Sequence, residues 1–542
     1  MAIFTPSESP AVTFKEIDLT GNIPNVQTTT GVIVGDFNWG PISKPTQVSN
    51  ENELASTFGT PNTTNNIDYF SATQYLRYSN SLYVVRETTA AARNAANTAG
   101  NAIKLNDKEA FDAATFTGDA YFLARYAGTH GNSLKVEYSK AGATRHTNTA
   151  FDTEFDTVSA AGEINVLVTD EDGVVSGVAG TVLERFAYLS TTSGVTTADG
   201  TDNYYKNVIN ERSSWIYATM DSDGTLDSSA AISLTGGVNS GTLTAGSYDT
   251  GFNKIASTEN YEVDFLIAPG MADDSDQAQV VTTLTGIASS TRKDCIVVAS
   301  PNRTAIVNVT NPATAVTNTT TCVAAFPSSS YLVADNNYVK TYDKYNDKYI
   351  FIPAASSTAG VMALSDLNAG PWYSPAGQRR GQYFGVAGLA YNATKAQRDT
   401  LYKAGVNPIV NIAGTGVILF GDKTRLTRPS AFDRINVRRL FLAIERAIGR
   451  AAENVMFEFN DEFTRAEFTN IVEPFLREIK GRRGITDFKV LCDETNNTAA
   501  VVDRNEFIAS LFIKPARSIN YVTLNFVAVR TGVSFDEVVG TV

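Results

Sequence analysis

Apolar residues alternate with polar ones in two short pairs near the start of the chain, Val12 with Phe14 and Ile17 with Leu19. A period of two predicts strand, and Gly21 and Pro24 end the segment. A lone strand at a terminus has no local partner, so it must join a sheet elsewhere in the chain or in another subunit. Residues 28–35 predict a second strand with 31–35 as its buried part, followed by a turn at Gly40 and Pro41. Residues 49–54 open a short helix that ends near Phe58 and Gly59, residues 73–78 read as helix and 81–86 as strand. This β-α-α-β order predicts an α/β layer.

Residues 88–101, rich in Ala, Asn and Thr, read as a linker. From about 115 to 235 the chain is rich in Thr, Ser, Gly, Asp and Ala, with short strands at 134–138 and 164–168. Asp170-Glu-Asp-Gly173 reads as a hairpin-type turn. The region predicts a β-rich domain inserted into the α/β layer, with a water-facing surface. The α/β pattern resumes near 250. Strands are predicted at 263–268, 295–299, 330–334 and 349–353, all continuing one sheet, with helices up to about 288 and at 357–367. Thr394 with Gln397, and Thr464 with Glu467, have the spacing of capping boxes. The helices they open stop at Gly405 and Gly481, and Pro474 predicts a kink in the second. Residues 506–514 and 519–530 read as strand, with an apolar tail after 532.

The strongest periodic signal is a helix over 434–455. At about 100° per residue, Val437, Leu440, Phe441, Ile444, Ile448, Ala451 and Val455 share one face. Arg439, Arg446 and Arg450 fall together on the opposite face, which predicts guanidinium groups presented outward. Charge counting adds to this. Residues 375–450 hold 13 Lys and Arg against 4 Asp and Glu, a net of +9 in a chain whose total is −13. A basic island in an acidic protein points to a partner surface.

Bulk properties narrow the function classes. At 542 residues the chain is long enough for three or four domains. A hydrophobic fraction of 43% with 19% charged residues describes a globular protein. An isoelectric point near 4.9 argues against a general nucleic-acid binder. No apolar run is long enough to span a bilayer, and the first ten residues carry no signal-peptide pattern. Cys295, Cys322 and Cys492 are odd in number and far apart, as expected of reduced thiols in a cytosolic setting. With two histidines, His130 and His146, acid–base and metal chemistry have little material.

Individual motifs do not change that picture. Residues 416–424 approach a phosphate-binding loop, but Asp422 stands where the lysine must follow the second glycine, so strand and turn is the reading. Asp170-Glu-Asp-Gly173 lacks the spaced ligands of a calcium loop. Residues 342–349 interleave tyrosines with two Lys and two Asp, which suits a half-buried turn and strand better than a nucleic-acid surface.

Several segments, taken in order, carry a resemblance. They are Phe14-Lys-Glu-Ile-Asp-Leu19, Gly40-Pro41, Phe58-Gly59, Ala127-Gly-Thr-His-Gly-Asn-Ser-Leu134 and Leu266-Ile-Ala-Pro-Gly270. Tyr342-Asp-Lys-Tyr-Asn-Asp347, Trp372-Tyr-Ser-Pro-Ala-Gly377, Asn407-Pro408, Gly414-Thr-Gly416, Val437-Arg-Arg-Leu440 and Lys514-Pro515 complete the set. In this order the chain resembles contractile phage tail sheath proteins, most of all those of T4-like myoviruses. The resemblance implies an α+β or α/β multidomain architecture. An N-terminal arm (1–24) would join an inner domain (366–530), with an α/β middle domain (25–100 and 240–365), an inserted β-rich outer domain (101–239) and a C-terminal arm (531–542).

As function it implies a structural subunit, not an enzyme, that forms hexameric rings around an inner tail tube and contracts. Its partners would be further copies of itself, the tail tube protein, the baseplate and the tail terminator. No cofactor, metal, nucleic acid or membrane insertion is expected. The setting would be the virion tail, assembled in the host cytoplasm. Val12, Phe14, Ile17, Leu19, Val533, Phe535 and Val538 would exchange strands between subunits, and Arg439, Arg446 and Arg450 would face the tube. A sheath of a phage-derived bacteriocin or injection system is the close alternative, and an α/β hydrolase or nucleotide-binding protein the distant one.

Overall fold

Val- and Ile-rich runs become strands because branched side chains fit a pleated surface buried on both faces. The structure, a computed structural model, describes residues 28–97, 102–114, 116, 122–140, 154–155, 159–219 and 229–520. The strand-exchange residues Val12, Phe14, Ile17, Leu19, Val533, Phe535 and Val538 lie outside the described residues, as do His146 and most of the strand expected at 519–530.

Three strands open the described chain: β1 (Gly31–Gly35), β2 (Thr46–Val48) and β3 (Leu82–Arg86), with helices α1 (Glu51–Phe58) and α2 (Asn66–Leu76) between β2 and β3. An inserted unit follows, built on β4 (Asn94–Ala96), β5 (Phe122–Ala127), β6 (Leu134–Lys140), β7 (Glu163–Asp170), β8 (Thr181–Ser190), helix α3 (Tyr205–Arg212), β9 (Ile216–Ala218) and β10 (Ser229–Ser233). The chain then returns through α4 (Ala245–Asn253), β11 (Phe265–Ile267), α5 (Asp274–Gly286), β12 (Ile296–Ala299), α6 (Pro312–Ala324) and β13 (Leu332–Ala334).

The outer segments make one six-stranded sheet in the order β13-β12-β11-β1-β3-β2, parallel except for β2. Alternate residues of each strand enter opposite cores. Val32, Leu266 and Val297 pack with α4, α5 and α6, while Ile33, Phe265 and Ile296 pack with α2 and a later helix, α7 (Ala355–Asn368). The result is a three-layer α/β/α body in which both sheet faces are covered.

The inserted unit holds a four-stranded antiparallel sheet, β10-β6-β7-β8, and a three-stranded one, β4-β5-β9, around its own core of Leu134, Val136, Ile164, Val166 and Ile209. Its β7–β8 connection begins with the expected turn, with Gly173 at φ 75°. The linker expected over 88–101 is corrected. Asn94–Ala96 is a buried strand, and bridges Arg93–Val238 and Ala96–Thr235 close the unit, so it begins near 93 rather than 101. The Asn94 side chain makes this possible by donating to the Ala124 carbonyl at 3.0 Å and accepting from the Leu105 amide at 2.8 Å.

Past β13 the chain forms β14 (Tyr338–Asp343), β15 (Lys348–Pro353) and β16 (Gly388–Leu389), a separate antiparallel sheet. The expectation that 349–353 continues the main sheet is corrected. A tight hairpin turn returns β15 onto β14, and Asn407 and Arg425 donate backbone hydrogen bonds to Ala334 and Leu332 on the β13 edge instead. Helix α8 (Lys395–Lys403) starts at the Thr394–Gln397 capping box as expected. A hairpin of β17 (Ile409–Ile412) and β18 (Gly416–Leu419) buries Ile409, Val417 and Leu419 in the same core as Ile352. Ala376, Tyr383 and the β17–β18 hairpin therefore pack with the central body, while Trp372 packs on the C-terminal core and donates to the Arg482 carbonyl at 3.1 Å.

The last unit contains α9 (Ile435–Glu453), α10 (Glu462–Gly481), β19 (Ile485–Leu491) and β20 (Ser510–Pro515). Helix α10 begins three residues before the capping box expected at Thr464. Asp461 takes the N-cap position and its side chain accepts from the Thr464 amide at 2.8 Å.

Candidate functional site

Helix α9 has the apolar face its periodicity predicts. Leu440, Ile444 and Ile448 pack on Phe468, Val472 and Leu476 of α10 and on Ile485 of β19. The opposite face is where the structure departs from the sequence reading. Arg439 and Arg446 do not project outward; their side chains are 6% and 11% exposed.

Arg439 Nη1 donates to Asp366 Oδ1 at 2.7 Å and Nη2 to the Thr28 carbonyl at 3.1 Å, with its guanidinium 4.4 Å from the Phe265 ring centre. Arg446 Nη1 donates to Asp264 Oδ1 at 2.6 Å, and Nη2 to the carbonyls of Val263 and Asp294, both at 2.9 Å. Arg450, a third exposed, pairs with Glu262. Thr28, Asp264 and Asp294 lie just before β1, β11 and β12, so the arginine face seats along the N-terminal edge of the parallel strands.

The expected outward display is thus corrected for Arg439 and Arg446: a helical wheel says which residues share a side, not what covers it. Burial raises the carboxyls of Asp366 and Asp264, while Arg439 and Arg446 pull each back down. A buried, doubly bonded pair of this kind fixes geometry more than it adds stability. Helix α9 is a strut with both sides occupied.

Around the start of α9 lies a second polar node. Asp422 accepts from Arg434 at 2.8 Å, Ser374 at 3.1 Å and Ser518 at 2.7 Å. The hydrogen bonds hold its carboxyl below the usual range despite burial. The aspartate that spoils the phosphate-loop pattern is therefore a structural anchor, and residues 416–424 are strand and turn. Open α/β sheets bind ligands at the carboxyl ends of their strands, where the strand order reverses. Here that crevice is filled. Tyr248 of α4 donates to Asp68 Oδ2 at 2.9 Å, and a Cβ on Gly251 would meet Val34 at 2.5 Å. Arg86, fully buried, spends its donors on the carbonyls of Phe37, Gly40 and Ala127.

His130 lies buried in the 3₁₀ turn Thr129–Ser133, and burial lowers its pKa to about 4. Among the described residues no group of three or more His, Cys, Asp or Glu could hold a metal ion, and no helix is long and apolar enough to cross a membrane.

The feature left incomplete is the sheet of β19 and β20. The two strands pair antiparallel in register Phe488–Ile513 and Val490–Leu511, with a bulge between Ile485 and Asp487. Phe488, Val490, Leu511 and Ile513 turn inward onto α9 and α10, and Phe512 points out, 58% exposed. Among the described residues neither outer edge pairs with another strand. Sequence reasoning placed strand over 506–514 but none at Ile485–Leu491, and it had no signal for this open ribbon, because an edge is defined by what fails to pair with it.

Comparison with known proteins now bears on this geometry. Residues 241–425 match the family model of the phage tail sheath protein central domain, and 427–528 that of the phage tail sheath C-terminal domain. The division falls just before α9, where packing also changes partners. The tail sheath protein of Vibrio phage KVP40 is 32% identical, in an alignment covering 98% of this chain and 99% of the relative. That of Enterobacteria phage T4 is 31% identical, with the same coverage of 98% and 99%. A sheath tail protein from Listeria innocua shares the fold at a TM-score of 0.60 and 14% identity, over 92% of this chain and 94% of that one. The contracted helical sheath of the anti-feeding prophage does so at 0.53 and 13%, over 96% and 99%. With a full-length relative above 30% identity and two family models in sequence, the chain belongs to the phage tail sheath protein family.

Proposed function

We propose that this chain is the repeating subunit of a contractile tail sheath that polymerises as hexameric rings around an inner tail tube. Rigid-body rearrangement of the rings drives the tube through the host envelope. The observation that carries this reading is the two-stranded ribbon of β19 and β20, covered on one face and, among the described residues, unpaired at both edges. An open edge is a template for strands from other chains. The alternating pairs Val12 with Phe14 and Ile17 with Leu19, and the tail with Val533, Phe535 and Val538, have the apolar residue types that such an added strand needs.

Backbone ladders made this way keep subunits linked while their bodies rotate. The extended lattice is a kinetic trap, and the contracted one buries more surface between subunits. The tube, baseplate and terminator are its other partners, and assembly takes place in the host cytoplasm. The filled crevice at the sheet's carboxyl edge and the Asp422 anchor support a subunit without nucleotide chemistry. Identity of 31–32% to phage sheaths, against 13% to the prophage sheath, favours a phage tail over an injection particle.

Removal of residues 1–20 tests the arm role. A folded monomer that forms no long tubes in electron micrographs is expected; tubes of normal length refute it.

A further inference from the structure

From the end of α9 into the first turn of α10 the chain exposes an unusual run of apolar side chains. Phe457 is 104% exposed, Phe459 84%, Phe463 76% and Met456 59%. Phe457 also has φ 72°, a left-handed backbone that a bulky side chain rarely adopts. The loop is nevertheless held in place: Asn460 donates to the Glu506 carbonyl at 2.8 Å and accepts from Arg465 at 2.9 Å, and Asp461 caps α10. Nothing within the described chain explains why these rings face water. Glu458, Asp461 and Glu462 put three carboxylates beside these rings, and the nearest cation, Arg465, is bonded to Asn460.

At the other end of α9 lies a cleft of about 750 Å³ with the opposite character. Lys395, Arg398, Arg483 and Arg517 line it together with the faces of Tyr373 and Phe420, the latter 49% exposed. Its wall has two carboxylates, Asp399, which is exposed, and Asp422, which is buried and already matched by Arg434. Charge and apolar surface are therefore complementary between loop and cleft.

They cannot meet within one molecule. Nineteen residues of helix separate them, roughly 28 Å at the rise of an α-helix. The loop at one end of the strut can reach the cleft only on a second copy. A contact between two different patches of identical chains is head-to-tail, and such contacts propagate into rings or helical filaments.

We propose that the acidic aromatic loop around Phe457 and Phe459 docks in the basic cleft beside α8 of a neighbouring subunit. The contact would be separate from strand exchange, and would set how successive C-terminal domains are spaced. It rests on the chain polymerising, as proposed above. The loop gains cover for its rings, and the cleft gains neutralising carboxylates for side chains that have few of their own.

Four full-length proteins, purified without any other component, test this by sedimentation and electron microscopy: the unaltered chain, E458K/E462K, K395E/R398E, and all four changes together. Each reversed pair is expected to lower polymer yield about tenfold, and the combination to restore it to within about threefold of the unaltered chain. Either pair polymerising as well as the unaltered chain, or a combination no better than the pairs, overturns the docking while leaving the sheath reading in place. No polymer from the unaltered chain overturns both. F459S is a second probe that leaves the core untouched: polymer loss with an unchanged melting temperature is expected, and unchanged polymer overturns the proposal.

Discussion

The six-stranded central sheet is built from continuous apolar runs and the two-stranded C-terminal ribbon from alternating ones, and they finish differently. In the central body both faces lie under helices, Asn407 and Arg425 cover the β13 edge, and β2 ends the other side after three residues. Both faces and the β13 edge of that sheet are covered by its own chain, and its other edge is only three residues long. The ribbon of β19 and β20 has one face on α9 and α10 and two edges without a partner strand among the described residues. A two-stranded sheet is marginal unless packed on something. The contrast separates a body whose sheet is covered by its own chain from a ribbon with open edges among the described residues, with α9 as the strut between them.

The largest expected effect breaks that strut. Arg439→Ala or Asp366→Ala leaves an unpaired buried charge and is expected to cost about 3–5 kcal/mol in urea denaturation. Replacing both by Met and Leu should cost clearly less than either single change. Leu476→Ala comes next. It empties a fully buried position of the C-terminal core, a loss of about 2–5 kcal/mol. Amide exchange should accelerate in α10, β19 and β20 while β11 and β12 stay protected; faster exchange in both regions would mean the two are one cooperative unit.

Acidity distinguishes the regions in sign. Burial raises Asp36 and Asp335 to about 7 and Asp68 to about 6, all in the central body, against 3.8 for the free side chain. The unfolded chain releases these protons near pH 4 and the folded one holds them longer, so raising pH favours unfolding. Stability of the body is expected to fall between about pH 4 and pH 7, by at most about 1.4 kcal/mol per pH unit for each group, and Asp335→Asn should flatten the slope. In the C-terminal unit hydrogen bonds lower Asp461, Asp487 and Asp493. Its stability should instead be lost as pH falls below the usual carboxylate range. Melting curves followed by a probe in each region check both signs. The smallest effect is at the ribbon's outer face. Phe512→Ser is expected to change monomer stability by no more than about 0.5 kcal/mol, yet to reduce polymer length.

Local signals carried much of the fold. The strands at Phe265–Ile267 and Ile296–Ala299, the capping box at Thr394 and the apolar face of α9 follow from residues within a few positions of one another. What failed was whatever depended on distant partners. Arg439 meets Asp366 and Arg446 meets Asp264 across 73 and 182 residues, so no periodicity could reveal that the basic face is internal. Asn94–Ala96 passed for a linker because Ala and Asn favour strands poorly, and its burial comes from bonds made to β5 and Leu105. Thr464 lost the cap because Asp461 offers a carboxylate to the same helix one turn earlier.

Backbone amide exchange of β19 and β20, measured in the monomer and in assembled tubes, tests the central claim most directly. The account predicts that amides on the outer edges of Ile485–Leu491 and Ser510–Pro515 become strongly protected on assembly, while those of β11 and β12 do not change. Edge amides that exchange equally fast in monomer and tube would contradict it.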